Sequence, residues 1–458
     1  MAKADLTVRF ILPSMKMHSK SKEYYRTVFW TLITLSIPTV LEEILSTLLQ
    51  YVDTAMVGRL GEKATAAVST TTTIGWLIHS VPGAIAVAML ALASKANGEG
   101  NQSKLKKLSG QAVLCAIVSG AVLELSALIL APFIPVWMGV EEDIVHPAYI
   151  YFFTASTTLI FRTSSRIFAA MIRATKDTKT PMLVSVGENL LNVLLNAVFI
   201  YGLNLGVFGA ALASAISYMA GGIVMFAVMY ANPKLRFEKK DIYPDVKVMK
   251  EVRELGIPAL GTTVLSCLGY VVFTSMVSGM STTVFAAHSI AVSAEQIVYI
   301  PGYGLRSATS TLIGNSIGER DSDKFKATGR IAIALTVMIM IINGILLYVF
   351  AFPLMRIFTP SEAVATIGSN MLKLVSFSEP FFGLMIVLEG IAYGMGSTKN
   401  VFWCETISMW GIRILSTYIC VHMFGLGLTA VWICMIADNV CKALLLLFFS
   451  KWKYPLER

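Results

Sequence analysis

Long apolar runs separated by short polar segments are the main pattern along this chain. A helix needs about 20 mostly apolar residues to cross a hydrocarbon layer roughly 30 Å thick, and twelve windows of the sequence meet that requirement. The windows are residues 30–57, 64–93, 111–138, 147–171, 182–202, 205–230, 257–280, 284–313, 331–352, 374–393, 401–423 and 426–450. The pattern predicts an all-α integral membrane protein with twelve transmembrane helices.

Composition and charge support this class and limit the alternatives. Hydrophobic residues make up 55% of the chain and charged residues only 14%, whereas soluble domains carry roughly 25% charged residues. The net charge of +9 does not indicate a nucleic-acid site, because the basic residues alternate with the apolar windows instead of gathering in one region. Basic loops stay on the cytoplasmic side, so we expect a multi-pass protein of the cytoplasmic membrane with both termini inside the cell.

The chain repeats itself at an offset of 220 residues. Residues 37–57 read IPTVLEEILSTLLQYVDTAMV and residues 257–277 read IPALGTTVLSCLGYVVFTSMV, with nine identities in 21 positions. The same offset pairs Gly98-Glu99 with Gly318-Glu319 and Thr178-Lys179 with Thr398-Lys399. Six spans lie between equivalent points, so the two halves have parallel topology, a layout that transporters use for alternating access.

The repeat divides the chain into five predicted segments. These are a cytoplasmic N-terminal segment at 1–28, an N-lobe of six helices at 29–230, a cytoplasmic linker at 231–256, a C-lobe of six helices at 257–450 and a cytoplasmic tail at 451–458. We expect the two lobes to be six-helix bundles related by the internal repeat.

Asp53 breaks the symmetry between the halves, because its equivalent at the 220-residue offset is Phe273. An acid within a span costs about 2.5–3.5 kcal/mol on insertion scales and is a functional candidate by default. The alternative without a functional role is that Asp53 reaches headgroup water, since it lies about five residues from the end of its window, roughly 7 Å. The sequence favours the functional interpretation.

The fifth and sixth spans offer partners for Asp53. Asn192 and Asn196 are four residues apart and share a helix face, and Ser214 lies at a comparable depth in the next span. One carboxylate, two amides and a hydroxyl form an oxygen-rich set of the kind that hard cations prefer, so these four residues are the candidate coupling site and, for Na⁺, the candidate metal ligands. A hydrogen-bonded packing network between helices is the alternative, and the sequence does not decide between the two.

Other acids within the spans are weaker candidates. Glu188 extends the stripe of Asn192 and Asn196 by one turn, and Glu295, Glu379 and Glu389 are candidates for lining a cavity or binding a cationic substrate, although each could be locally paired. Arg413 with Glu405 or Asp438 is typical of an internal ion pair. We find no catalytic constellation, so the sequence predicts neither an enzyme nor a cofactor.

Several segments resemble the multidrug and toxic compound extrusion (MATE) family. They are VDTAMVGRLG at 52–61, ASKANGEGNQSK at 93–104, NVLLNAVFIYGLNLGVFGAALASAIS at 192–217 and FAAHSIAVSAEQIVYIPGYGLRSATSTLIGNSIGERD at 285–321. The resemblance implies secondary antiport, in which H⁺ or Na⁺ enters as cationic or amphiphilic organic compounds leave. It also implies that Asp53 is the central coupling residue and that Pro38 is the first-span proline linked to helix bending.

Departures from the family pattern indicate a branch. The norfloxacin-efflux branch usually carries acids in the seventh and tenth spans, where this chain reads LSCLGYVVFT and PFFGLMIVLEG. The chain looks closer to the prokaryotic DNA-damage-inducible-type branch, many members of which have aspartate where this chain has Asn196. A site with a single carboxylate remains.

Two rival transporter classes fit the sequence less well. A major-facilitator transporter should carry a basic GxxxDRxGRR-like motif between the second and third spans, where this chain reads SKANGEGNQSK. A flippase of lipids or lipid-linked oligosaccharides in the same superfamily often has fourteen spans and a basic cavity, whereas the sequence shows twelve spans and few cations within them. We therefore expect a monomeric exporter, in contact with membrane lipids, that acts on small organic compounds.

Overall fold

The computed structural model describes residues 19–449, without the side chains of residues 19–22, 72 and 73. The first 18 residues of the predicted N-terminal segment and the predicted tail at 451–458 lie outside the described residues. Within residues 19–449 every regular element is a helix.

The helices of the first half follow the predicted windows closely. They are α1 (Ser19–Gly58), α2 (Glu62–Gly98), α3 (Gln102–Leu130), α4 (Ile134–Trp137), α5 (Glu142–Ser156), α6 (Leu159–Ala174), α7 (Lys179–Asn196), which continues as a π-helix (Ala197–Gly202), and α8 (Gly206–Ala231).

The second half repeats this order after a short linker helix. Its elements are α9 (Lys239–Ile242), α10 (Val246–Ser278), α11 (Thr282–Gly318), α12 (Ser322–Phe358), α13 (Glu362–Ser376), α14 (Glu379–Gly394), α15 (Thr398–Thr406), a π-helix (Ile407–Ile414), α16 (Leu415–Tyr418), a second π-helix (Ile419–Met423) and α17 (Leu428–Phe449).

The spans are of three kinds. In the described part of the chain, nine helices are each long and apolar enough to cross a membrane. Two more spans are helix pairs bent at a short break, α5 with α6 at 48° and α13 with α14 at 60°. The run of alternating α- and π-segments from Thr398 to Met423 coincides with the predicted window at 401–423. The prediction of an all-α protein with two six-helix halves is confirmed, and the chain is a multi-pass membrane protein.

Helix starts follow the repeat as well. The side chain of Asn101 accepts a hydrogen bond from the backbone N–H of Lys104 at 2.9 Å and so caps α3. Asp321, 220 residues later, accepts from the N–H of Lys324 at 2.8 Å and caps α12. Such caps satisfy backbone donors that the first helical turn leaves unpaired.

The chain folds into two compact units whose boundaries lie inside helices. One unit contains residues 41–260, and the other combines the described residues before Leu41 with those from Gly261 on. The sequence instead places the lobe boundaries in loops, near residues 28 and 256. The difference arises because α1 and α10 are long, and each runs from one unit into the other.

Each unit has its own apolar core. In the unit 41–260, Met89, Leu108, Ile167 and Met225 are fully buried together, and Val248 and Val252 of the first turns of α10 pack against the same cluster. In the other unit, Leu32 and Leu35 of α1 pack with Leu312, Phe325 and Ile386. Apolar contacts of this kind explain why the first part of each long helix belongs with its own unit.

The predicted linker at 231–256 is partly helical. α10 begins at Val246, so the last eleven residues of the predicted linker extend the seventh span. The rest is held by Gln111 of α3, whose amide N–H groups donate to the carbonyls of Asp241 and Tyr243, both at 2.7 Å. Its carbonyl accepts from the N–H of Asp245 at 3.1 Å. One buried side chain thus anchors three backbone groups of the linker.

Candidate ion-coupling site

A ladder of polar contacts joins the second part of α1 to α7. Ser185 donates to the carboxylate of Glu42 at 2.8 Å, Asn189 donates to the hydroxyl of Ser46 at 3.3 Å, and Asn196 donates to Asp53. Each pair is 143 residues apart, and residue numbers increase along both helices from one contact to the next. The two helices therefore run parallel in this stretch, with Asp53 and Asn196 at the far end of the ladder.

The base of the ladder is an ion pair. Arg173 of α6 approaches both carboxylate oxygens of Glu42 at 2.7 Å. One terminal nitrogen of the guanidinium donates to both oxygens, and Glu42 accepts three hydrogen bonds when the one from Ser185 is included; hydrogen bonds between charged groups are among the strong ones. Glu42 is therefore a structural anchor. Asp53, the other acid of the ladder, forms no ion pair with a cationic side chain among the described residues.

The four predicted site residues form one hydrogen-bonded chain. The amide N–H groups of Asn196 donate to Asp53 and to the carbonyl oxygen of Asn192, the latter at 3.2 Å. Asn192 in turn donates to the hydroxyl of Ser214 at 3.1 Å. The chain links α1, α7 and α8 within the unit 41–260. Whether this chain couples to an ion remains a prediction.

One oxygen of this chain has no donor. Asn196 is fully buried, and its amide oxygen has no hydrogen-bond partner among the described residues. A buried polar atom left unpaired destabilises the fold by about 1–3 kcal/mol, so such atoms call for an explanation. Asp53 is only half-buried. A half-buried carboxylate beside an unpaired amide oxygen suits a small cation.

Apolar packing closes the chain on one side. Val57, Ile200 and Ala210 form a buried cluster one turn or more beyond Asp53 and Asn196. Tyr201 lies in the π-helix that follows Asn196, and its hydroxyl donates to the carbonyl of Met56 at 3.1 Å. These contacts limit the routes by which an ion reaches Asp53. π-Helices are frequent at functional sites.

The equivalent position in the other unit is built differently. Phe273 is fully buried, and its ring lies 5.7 Å from the ring of His288 and 5.5 Å from the guanidinium of Arg413. Arg413 pairs with Asp438 at 2.7 Å, which selects one of the two partners that the sequence suggests. The other acid, Glu405, pairs with Lys442 at 2.5 Å.

Glu188 lies near the chain but is not part of it. Its carboxylate packs over Gly221 of α8, so closely that no β-carbon fits there. No hydrogen bond joins Glu188 to Asn192 or Asn196 among the described residues. Glu188, Asn192 and Asn196 therefore lie on α7 as the sequence predicts, but their contacts differ. Glu188 packs over Gly221, whereas the two asparagines belong to the hydrogen-bonded chain.

The three candidate acids of the second half lie in the other unit and differ from one another. Glu389 forms an ion pair with Arg306 at 3.0 Å and is locally satisfied. Glu295 is buried and accepts a hydrogen bond from Tyr299. Glu379 is fully buried, and neither carboxylate oxygen has a hydrogen-bond partner among the described residues. The structure does not bring these acids into contact with the chain of Asp53.

The structure also shows polar residues that the sequence analysis overlooks. Arg162 and Arg166 lie within α6, inside a span, and the predicted window 147–171 contains both of them. Tyr151 of α5 and Tyr218 of α8 lie within electrostatic range of both Asp53 and Arg162. The signal in the sequence is a charged residue inside the window 147–171.

Pro38 lies inside α1, twenty residues from the end of that helix. A proline removes one backbone hydrogen bond of a helix and favours a kink. Pro258, at the 220-residue offset, lies inside α10 in the same way. The role of Pro38 in bending remains a prediction.

Comparison with known proteins identifies the family. A profile of the MatE family matches residues 38–198 and 258–419, one match in each repeat. The chain is 27% identical over 429 residues to the probable multidrug resistance protein NorM of Thermotoga maritima, with 92% of each chain covered. It is 26% identical over 409 residues to the probable multidrug resistance protein YoeA of Bacillus subtilis, covering 87% of this chain and 88% of YoeA.

Solved structures share the fold. The MATE transporter VcmN of Vibrio cholerae in its bent form superposes with a TM-score of 0.86 at 20% identity, covering 93% of this chain and 97% of VcmN. A transporter of the MOP superfamily from Pyrococcus furiosus superposes with a TM-score of 0.88 at 20% identity, covering 94% and 97% of the two chains. With the family profile matching both repeats and the fold shared along nearly the whole length, the chain belongs to the MatE family, the multidrug and toxic compound extrusion family that its sequence resembles.

Proposed function

We propose that this chain is a secondary active multidrug efflux transporter. It exports cationic or amphiphilic organic compounds in exchange for inward H⁺ or Na⁺, by alternating access of two lobes. The names of its relatives support the substrate class, since NorM of Thermotoga maritima and YoeA of Bacillus subtilis are each named a probable multidrug resistance protein. The alternation of basic loops supports cytoplasmic termini, and we propose a monomer in the cytoplasmic membrane.

The chain of contacts from Asp53 to Ser214 carries the proposal. Asp53 brings one negative charge, and the unpaired amide oxygen of Asn196 lies beside it. A proton on Asp53, or a Na⁺ held by these oxygens, neutralises that charge. Oxygen donors of this kind are the ligands that hard cations prefer. Because a charge within a membrane span is unfavourable, its neutralisation changes the relative free energies of conformations that expose or bury it.

The test is efflux of a fluorescent cationic dye from proteoliposomes under an imposed pH gradient or an imposed Na⁺ gradient. Asp53→Asn keeps the shape of the side chain and removes the charge that the ion discharges. We expect the variant to bind dye with unchanged affinity and to lose gradient-driven efflux by at least about tenfold, which corresponds to roughly 1.4 kcal/mol. The gradient that drives the wild type identifies the coupling ion.

Asp143→Asn is the matched control. Asp143 is an exposed acid of the same unit that pairs with Lys63, so the same change there should leave efflux intact. Normal gradient-driven efflux by Asp53→Asn would show that the coupling residue lies elsewhere.

A further inference from the structure

Arg162 lies within a span and forms no ion pair with an acid among the described residues. It lies twelve residues before the end of α6 at Ala174, roughly 18 Å along the helix axis and so within the depth of the hydrocarbon layer. Among the described residues, no carboxylate lies within ion-pair distance of Arg162. Three other arginines in the spans, Arg173, Arg306 and Arg413, each have one.

The partner that Arg162 does have is an aromatic ring. Its guanidinium carbon lies 4.2 Å from the centre of the Tyr218 ring on α8. Stacking on an aromatic face stabilises a guanidinium by about 0.5–2 kcal/mol and holds its plane in place. Among the described residues, the N–H groups at the edge of that plane have no acceptor. A fork of N–H donors matches the two oxygens of a carboxylate, phosphate or sulfonate.

The surroundings show that this guanidinium faces the interior of the unit 41–260. Arg162 lies within electrostatic range of His79 on α2, Tyr151 on α5 and Glu188 on α7. Its side chain is nevertheless only half-buried. Arg166, one turn further along α6, is exposed and adds a second positive charge on the same face. Arg162 and Arg166 therefore place two positive charges on one face of α6 in the unit 41–260.

Acidic groups of the same unit lie close to this face. Tyr218, on which Arg162 stacks, lies one turn after Ser214, the last member of the chain from Asp53, and three residues before Gly221, over which the carboxylate of Glu188 packs. Glu188 adds a second acid close to Arg162 without pairing with it. We propose that Arg162 binds the anionic group of a zwitterionic substrate. This inference rests on the proposed transport function and narrows its substrate class.

A matched pair of dyes tests the proposal. Rhodamine B carries a free carboxylate beside its cationic ring system, and rhodamine B ethyl ester carries the same ring system with the carboxylate masked. Equilibrium binding to the detergent-purified full chain is measured by fluorescence anisotropy, without any gradient. We expect Arg162→Gln to weaken binding of rhodamine B by about tenfold, as loss of a charge-assisted bidentate contact does, and to change binding of the ester by less than about twofold.

Arg236→Gln is the control variant. Arg236 lies over the ring of Tyr230 at 5.5 Å in the linker region, so the change removes the same charge and a similar contact outside the spans. Its affinity for both dyes should equal that of the wild type.

A second variant keeps the test decisive if Arg162→Gln does not fold. Glu188→Gln removes the acid that competes with the dye carboxylate for Arg162. It should therefore tighten binding of rhodamine B by about threefold and should not tighten binding of the ester. Equal weakening of both dyes by Arg162→Gln, no change for either dye, or an unchanged dye preference in Glu188→Gln overturns the proposal. Because the assay needs no gradient, such a failure leaves the efflux result for Asp53→Asn unaffected.

Discussion

At the scale of single residues, the acids in the spans divide into paired and unpaired groups. Glu405 is buried against Lys442, with side-chain exposures of 8% and 9%, so each charge compensates the other. Glu379 is equally buried but has no hydrogen-bond partner for either oxygen among the described residues, and Glu295 lies within its electrostatic range. These two environments should respond in opposite ways to the same change.

We expect Glu379→Gln to leave thermal stability in detergent unchanged or to raise it, because the carboxyl group that it replaces is buried without a hydrogen-bond partner among the described residues and lies near another acid. Glu405→Gln should lower the free energy of unfolding by about 3–5 kcal/mol, since it leaves the ammonium of Lys442 buried and unpaired. The measurement is the temperature at which the purified variant loses its monodisperse elution peak. An equal loss of stability in both variants would refute the distinction.

The residues around Asp53 show what the sequence can and cannot predict. The acid stands out because Phe273 replaces it in the repeat, and Asn192 and Asn196 stand out because their spacing places them on one helix face. The unpaired oxygen of Asn196 could not be predicted, because it depends on how the amide is oriented by Asp53 and Asn192. Arg162 lies inside the predicted window 147–171, but its stacking on Tyr218 could not be predicted because it depends on how α6 packs against α8.

At the scale of elements, the linker between the halves is fastened to α3 by more than Gln111. Lys107 of α3 forms an ion pair with Asp245, and Lys104 lies 3.6 Å from Glu251. Asp245 also caps α10, because its carboxylate accepts from the N–H groups of Lys247 at 2.8 Å and Val248 at 3.1 Å. Hydrogen bonds from Lys107 and from these backbone N–H groups hold the pKa of Asp245 below its usual value.

The lowered pKa of Asp245 predicts a pH dependence. A carboxyl group whose pKa is lower in the folded state stabilises that state above its unfolded pKa of about 3.9, and this stabilisation is lost as the pH falls through the folded value. We expect Lys107→Met to increase hydrogen exchange in residues 232–245 at pH 7, after correction for intrinsic exchange rates. The difference from the wild type should shrink as the pH falls through the folded-state pKa of Asp245, because the carboxyl group is then protonated and its ion pair with Lys107 is lost.

Lys240→Met is the control for this prediction. Lys240 pairs with Glu238 inside the linker itself, so its loss should not release the linker from α3. A difference between Lys107→Met and the wild type that persisted unchanged below the folded-state pKa of Asp245 would show that Asp245 does not mediate the attachment.

Linker docking and helix length illustrate a limit of sequence analysis at this scale. The alternation of basic loops and apolar windows predicts a polar segment at 231–256. It does not show that α10 starts at Val246, because polar residues at the end of a long helix resemble a loop in composition. Gln111 anchors the linker through backbone carbonyls, which do not depend on the side chains of the linker. The linker sequence therefore gives no sign of this contact.

At the scale of the whole molecule, the repeat organises the units as well as the sequence. The unit boundaries fall after Val40 and after Leu260, which is the same 220-residue offset that relates the two halves. Pro38 and Pro258 lie two residues before these boundaries. The sequence predicts two related halves correctly, but contacts between distant segments decide which part of α1 and α10 belongs to which unit.

The asymmetry between the halves yields a prediction for the whole chain. Phe273 is fully buried beside His288 and Arg413, and Arg413 already pairs with Asp438. We therefore expect Phe273→Asp to lower expression yield and thermal stability, as the loss of a buried ring costs about 3–5 kcal/mol, without creating a second coupling site. The measurement is yield together with gradient-driven efflux. Phe273→Leu keeps an apolar side chain and should be produced at nearly normal levels. If adding Phe273→Asp to the Asp53→Asn variant restored efflux, this view would be contradicted.

The wide helical turn that begins at Ala197 has a counterpart at Ile419–Met423, about 220 residues later. A π-turn contains one residue more than an α-turn, so it is the form that a regular helix takes after gaining a residue. Its presence in both halves shows that the internal repeat extends to this local distortion. Deleting one residue from the π-helix Ala197–Gly202 should let this part of the span form a regular α-helix. Losing one between Lys179 and Asn196 would rotate one end of α7 by about 100° relative to the other and separate polar groups that now meet.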